Sequence, residues 1–173
     1  IAGSWKWGGG FLQDMETPFY DFAGSTLVHS VGGWAALVAV WLLGSRIGKF
    51  KDGKPQAIPG HNLPLATAGV LILWLGWFGF NGGSVLKLGD IGNANSVAMV
   101  FLNTNAAAAG GLVAALLVAR VLFGKADLTM ALNGALAGLV AITAEPSTPS
   151  ALAATIIGAV GGVIVVFSII GLD

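Results

Sequence analysis

The sequence contains no cysteine and few charged side chains, and both absences restrict what the protein can be. Zero cysteines exclude disulfides, thiolate metal sites and cysteine nucleophiles. Charged residues make up 9% of the chain, against roughly 25% in ordinary soluble domains. The 8 Lys and Arg residues are matched by 8 Asp and Glu residues, so there is no basic surplus to hold a nucleic acid, and we expect no nucleic-acid partner.

Apolar residues dominate instead, at 55% of the chain with a mean hydropathy of +0.84. A bilayer core of about 30 Å needs roughly 20 apolar residues of helix, and five windows of the sequence approach or exceed that length. They predict an all-α, polytopic transmembrane bundle. The predicted spans are 22–44, 64–86, 96–123, 128–144 and 150–170.

The distribution of Lys and Arg predicts the orientation of these spans. Four cations lie in the 45–63 loop, whereas the other side has Lys6 and Lys87 in the company of acidic residues. By the positive-inside rule the N-terminal segment lies outside and Asp173 lies in the cytoplasm. The chain begins with Ile and shows no signal segment, so we expect an interior piece of a longer protein.

Small and polar residues within the spans indicate how the helices pack. Three i,i+4 glycine pairs, Gly79/Gly83, Gly134/Gly138 and Gly158/Gly162, predict close approach of helix backbones in lipid. Asn103 and Asn105 are expected to form hydrogen bonds between helices.

The predicted orientation brings several distant residues to one outer mouth. Trp7, Asp21, Phe80 and Ser84 all fall near the outer ends of their segments. Aromatic faces attract cations, and a serine oxygen can accept a hydrogen bond from one. His29 lies eight residues beyond Asp21, roughly 12 Å deeper along a helix, and therefore well inside the hydrocarbon region.

Each of these residues also has a simpler interpretation. Trp7 is the kind of residue that anchors helices at interfaces, and Phe80 taken alone favours packing. Asp21 would cap its helix, and Ser84 could bond its own backbone. His29 is the exception, because an ionisable residue within a span indicates a functional site. His61, in the basic loop, is expected to be solvated.

Six stretches of the sequence stand out by their order and spacing: WGGGFL at 7–12, DFAGSTLVH at 21–29, HNLPL at 61–65, GWFGFNGGS at 76–84, NTNAAAAGG at 103–111 and LNGALAGLVAITA at 132–144. Together they closely resemble the ammonium transporter, methylammonium permease and Rhesus family, with a bacterial character. The resemblance implies the middle of an eleven-span protomer in the inner or plasma membrane, and a homotrimer when the protein is full length. We expect no cofactor and no metal.

The resemblance also implies a role for each residue of the outer mouth. Trp7 and Ser84 would belong to the outer site that recruits ammonium, and Phe80 to the hydrophobic gate beneath it. His29 would be the first of two pore histidines, and Asp21 would shape the outer site without touching the cation. The second pore histidine and a second gate phenylalanine would lie outside these 173 residues.

Two function classes stay open at this point. One is transport, in which ammonium binds outside, loses its proton and crosses as ammonia. For this class the resemblance implies methylammonium as an analogue and a PII-type regulatory protein as a further partner. The other is an ammonium-sensing membrane domain of a signalling receptor. An enzyme is disfavoured, since a lone histidine without a second base, nucleophile or metal-ligand cluster is a poor catalytic set.

Overall fold

The fold consists of apolar helices joined by short polar segments. A computed structural model describes residues 2–172. A π-helical turn, Ser25–Ser30, runs directly into α2, so the two form one helical segment. The elements are, in chain order, α1 (Ala2–Lys6), α2 (Val31–Leu43), β1 (Phe50–Lys51), β2 (Lys54–Pro55), α3 (Leu63–Gly83), α4 (Ile91–Phe123), α5 (Leu128–Ile142) and α6 (Ala151–Leu172).

Four helical segments are long and apolar enough to cross a bilayer, within the part of the chain that is described. They are Ser25–Leu43, Leu63–Gly83, Ile91–Phe123 and Ala151–Leu172, while α5 is shorter at 15 residues. The protein is therefore a multi-pass membrane protein, and the all-α fold class is confirmed. The fifth crossing, by α5, and the direction in which the chain crosses stay predictions.

Polar caps explain where three of the helices begin. The side-chain oxygens of Asn62, Asp90 and Asp127 accept backbone N–H groups of the first turns of α3, α4 and α5, at 2.9, 2.9 and 3.0 Å. Asp90 starts α4 at Ile91, earlier than the window predicted from residue 96. The difference arises because the first turn of α4 is rich in asparagine, which an apolar window excludes.

The core lies where α4, α5 and α6 pack against one another through glycine. A Cβ atom added at Gly138 or Gly158 would collide with the carbonyl oxygen of Ala107, and one at Gly162 would collide with that of Gly111. Glycine is needed here because the helix backbones themselves are in contact. Since packing holds these three helices together, they form the rigid part on which the rest of the chain is placed.

The predicted glycine pair in α3, Gly79/Gly83, differs from the other two pairs. A Cβ at Gly79 or Gly83 would meet no heavy atom within 4 Å among the described residues, so the predicted close packing of this pair is wrong for this part of the chain. The close contact of α3 occurs instead at Gly82, where a Cβ would collide with the ring of Phe101 in α4. Periodic spacing identified the helix but not which of its faces meets a neighbour.

Two buried asparagines fix segments relative to α4. Asn81 donates from Nδ2 to Thr104 Oγ1 at 3.0 Å and so bonds α3 to α4. Asn103 was expected to bond between helices, but its Nδ2 donates to the carbonyl oxygens of Pro146 and Pro149, at 2.9 and 2.7 Å. Asn103 therefore holds the loop between α5 and α6 against the middle of α4.

Replacement of Gly158 by alanine tests the backbone contact. The added methyl group must displace the Ala107 carbonyl, so Gly158→Ala should lower the free energy of unfolding by about 1–3 kcal/mol. Thermal unfolding of the purified protein in detergent measures the effect. Gly171→Ala, in the same helix but with open space around the new Cβ, is the control. Equal melting temperatures for the two variants would contradict the close packing.

Candidate functional site

The buried carboxylate of Asp21 organises the start of the first long helical segment. Asp21 is 2% exposed, and both of its oxygens accept backbone N–H groups. Oδ1 accepts from Gly24 and Ser25 at 3.1 and 2.9 Å, and Oδ2 accepts from Thr26 and Leu27, both at 2.9 Å. These donors are the N–H groups that a helix start leaves without intrahelical partners. The carboxylate is therefore a structural cap.

The segment around Asp21 is attached to the far end of α5. The backbone N–H groups of Phe22 and Ala23 donate to the carbonyl oxygens of Ala144 and Thr143, at 2.8 and 3.1 Å. The Ser25 hydroxyl donates to the Val140 carbonyl at 2.9 Å. Because α5 belongs to the glycine-packed core, these bonds fix the start of the first helical segment relative to that core.

A cavity of about 750 Å³ lies beside this segment, and three predicted residues line it: Trp7, Phe80 and Ser84. The Trp7 side chain is 50% exposed, and its Nε1 donates to the Asp21 carbonyl at 3.3 Å. This bond sets the orientation of the indole. Asp21 is not among the lining residues. It lies behind the part of the wall that Trp7 forms. The contact of Asp21 with the cavity is therefore indirect, through the Trp7 side chain that it holds in position.

Ser84 presents an acceptor to the cavity. It directly follows the last residue of α3, and its hydroxyl donates to the Phe80 carbonyl at 2.8 Å. A hydroxyl has one proton and two lone pairs, so this bond uses the donor and leaves the oxygen free to accept. A bound species that donates hydrogen bonds would fit such a group.

His29 lies next to the cavity rather than in its wall. Its ring centroid is 5.4 Å from that of Phe80, which does line the cavity. Among the described residues the buried Nε2 of His29 has no hydrogen-bond partner. An imidazole nitrogen without a partner in a buried position is costly unless something else supplies one. Phe80 thus lines the open cavity and also contacts the imidazole whose Nε2 is available.

Two residues that sequence reasoning missed hold the His29 ring. Trp77 stacks on His29, with centroids 4.9 Å apart and ring planes 29° apart. The Trp77 Nε1 donates to Thr143 Oγ1 at 2.9 Å, and the Thr143 hydroxyl donates to the Leu139 carbonyl at 2.6 Å. The spacing of Trp77 and Phe80, three residues apart on one helix face, was the available signal for the first. No feature of the sequence around Thr143 indicated that it would hold Trp77.

The remaining predicted positions lie elsewhere. His61 is exposed, in the loop before α3, and does not line the cavity. Within residues 2–172, no group of three or more His, Asp or Glu side chains could hold a metal ion. The chemistry that this arrangement offers is therefore binding through aromatic faces, one hydroxyl oxygen and one imidazole.

Comparison with known proteins identifies close relatives. The Ammonium Transporter Family matches residues 1–172. Ammonium transporter Amt2 of Archaeoglobus fulgidus is 46% identical over 176 residues, which cover 96% of this chain and 37% of that protein. A putative ammonium transporter of Synechocystis sp. is 45% identical over 166 residues, covering 95% of this chain and 37% of that protein.

A solved structure described as a Sensor Amt Protein superposes on the chain with a TM-score of 0.89 at 40% identity. It covers 97% of this chain, which spans 42% of that structure. The chain thus spans well under half the length of these three relatives.

The capping role of Asp21 can be tested by a single-atom change. In Asp21→Asn an amide NH₂ replaces one oxygen and faces two backbone N–H groups that lose their acceptor. The free energy of unfolding should fall by about 1–3 kcal/mol, and amide hydrogen exchange should accelerate at residues 24–27. The exposed Asp14→Asn in the same segment is the control. Unchanged exchange in Asp21→Asn would show that the four bonds contribute little.

The phenol of Tyr20 should titrate late. Partial burial, together with the hydrogen bond and negative charge of Glu145, raises the pKa of Tyr20 from 10.0 to about 12. A raised pKa means that this contribution to stability is complete below pH 10 and is lost as the pH rises toward about 12. The chain has one tyrosine, so tyrosinate absorbance follows it directly. Glu145→Gln should move the midpoint down, and an ordinary midpoint in the wild type would contradict the contact.

Proposed function

The chain belongs to the ammonium transporter family, and we propose that the full-length protein moves ammonium or ammonia across a cell membrane. The observation that carries the proposal is the convergence of Trp7, Phe80 and Ser84 on one cavity, with the His29 ring in contact with Phe80. Family members are transporters and not enzymes, and nothing in this proposal requires a cofactor.

Recruitment of the cation is the first step. The Trp7 indole and Phe80 phenyl faces attract a positive charge electrostatically. The free lone pairs of Ser84 Oγ accept a hydrogen bond from it, since the hydroxyl proton is already donated to Phe80. Ammonium donates hydrogen bonds and potassium does not, so the serine contributes to discrimination between two cations of similar size.

Transfer of a proton from the bound ammonium to water in the open cavity is the second step, and it leaves neutral ammonia beside Phe80. Passage beyond the Phe80 ring removes water from the ion, and an unpaired charge in a dry environment costs several kcal/mol. Neutral ammonia avoids this cost. His29 Nε2, which is buried and has no partner among the described residues, supplies a hydrogen-bonding group at the point where the molecule would otherwise have none.

Assembly around this site involves the parts of a full-length protein beyond these residues. We propose a homotrimer in the lipid bilayer, with each protomer forming its own pore and a second pore histidine contributed by a later span. Methylammonium would serve as a transported analogue. A PII-type regulatory protein would bind on the side of the basic 45–63 loop, the predicted cytoplasmic face.

Sensing is the second candidate function, and one comparison favours it. The structure that superposes with a TM-score of 0.89 is described as a sensor, so the same arrangement of helices serves a protein of that description. A sensor and a transporter would share the recruitment cavity. The coding sequence after Asp173 separates them: a long soluble signalling region indicates a sensor, and further spans with a short tail indicate a transporter.

Replacement of His29 tests the transport proposal. In the full-length protein, expressed in cells without their own ammonium uptake, His29→Ala should reduce methylammonium uptake toward background, because the pore loses its hydrogen-bonding nitrogen. The matched control is His61→Ala, which removes the chain's other histidine from an exposed loop. Wild-type uptake in His29→Ala would exclude the proposed pore role.

A further inference from the structure

A lysine lines the cavity in which we propose that a cation binds. Lys6 is the last residue of α1 and contributes to the same wall as Trp7, Phe80 and Ser84. A lysine ammonium repels other cations, so its presence here opposes the recruitment that the aromatic faces and the serine favour. The cavity therefore combines attractive and repulsive elements for one ligand.

The partner of Lys6 leaves its charge in place. Lys6 Nζ donates to the side-chain oxygen of Gln13 at 2.5 Å, and Gln13 also lines the cavity. An amide is neutral, so this bond positions the ammonium group without compensating it. The hydrogen bond therefore holds a positive charge at the wall rather than letting the long side chain move away into solvent.

No carboxylate lines the cavity within residues 2–172. The negative charge of Asp21 lies behind the wall, 2% exposed, with both oxygens occupied by backbone N–H groups. The negative charge of Asp21 thus attracts cations into the cavity from behind its wall. The positive charge of Lys6, which lies in the wall itself, repels them. Removal of Lys6 would leave the attractive contributions without opposition.

We propose that Lys6 sets the affinity of the cavity for monovalent cations by weakening it, an inference that rests on the proposed function. A conducting site must bind strongly enough to select its ion and weakly enough to release it. Repulsion by Lys6 also favours neutral ammonia over ammonium at the same place, because it raises the free energy of the charged form alone. Lys6 is then an affinity-determining residue and contributes nothing to the hydrophobic gate.

Charge substitutions in the full-length protein test this role. At low ionic strength Lys6→Gln should lower the KM for methylammonium by about threefold to tenfold, the effect of one charge at close range in a water-filled cavity. Gln13→Glu should act in the same direction, because it places a carboxylate where the Lys6 ammonium already donates. Lys6→Arg keeps the charge and should keep the KM. The differences should shrink as added salt shortens the screening length.

Lys87→Gln is the matched control. It removes the same charge from the same predicted side of the membrane, but Lys87 does not line this cavity, so the KM should stay at the wild-type value. An equal fall in KM for Lys6→Gln and Lys87→Gln would indicate a general surface potential and overturn the proposal. An unchanged or higher KM in Lys6→Gln, with wild-type thermal stability, would overturn it as well.

Equilibrium binding separates this inference from the proposed function. Calorimetric titration of the purified protein with methylammonium should give a lower Kd for Lys6→Gln than for the wild type. If the wild type binds methylammonium but does not take it up, the transport proposal fails, and the comparison of Kd values still decides the role of Lys6. If the wild type does not bind methylammonium, both proposals are wrong.

Discussion

The structure depends on one buried carboxylate and the four backbone N–H groups that it accepts. A charge that is 2% exposed would be costly without partners, but both oxygens of Asp21 exchange water for oriented donors of a helix start. The backbone carbonyl oxygen of Asp21 also accepts a hydrogen bond from the Trp7 indole. Asp21 therefore fixes the beginning of the first long helical segment through its side chain, and the orientation of an aromatic face in the cavity wall through its backbone carbonyl.

The π-helical turn Ser25–Ser30 follows Asp21 and positions His29 relative to the capped helix start. Its wider winding is visible in the bond from the His29 N–H to the Gly24 carbonyl, at 3.0 Å, and such turns occur often at functional sites. Gly24 has φ of 109°, and a Cβ there would collide with the Val28 side chain, so glycine is required at this point. From the other side, Thr143 holds Trp77 and Trp77 stacks on the imidazole. Two independent supports thus converge on one ring.

Much of the fold follows from the sequence, because long apolar windows and polar caps leave few alternatives for a chain in lipid. The convergence of Trp7, Phe80 and Ser84 also follows, since alternate crossings bring particular ends to one side. The roles of Trp77 and Thr143 do not follow, because they depend on the rotation of each helix about its axis. These helices are apolar all round, so no polar face records that rotation. The same limit explains why Gly82 rather than Gly79 contacts α4.

Transport and sensing place different demands on one cavity. A sensor uses binding energy to shift an equilibrium between conformations and therefore gains from a site that binds its ligand tightly in one of them. A conductor loses rate when the ion is held too strongly. In the proposed mechanism, a wall with two aromatic rings and a free hydroxyl lone pair, opposed by the ammonium of Lys6, selects its cation without holding it strongly. Such a balance would suit passage, because the proposed ligand gives up its charge and leaves past Phe80 toward His29.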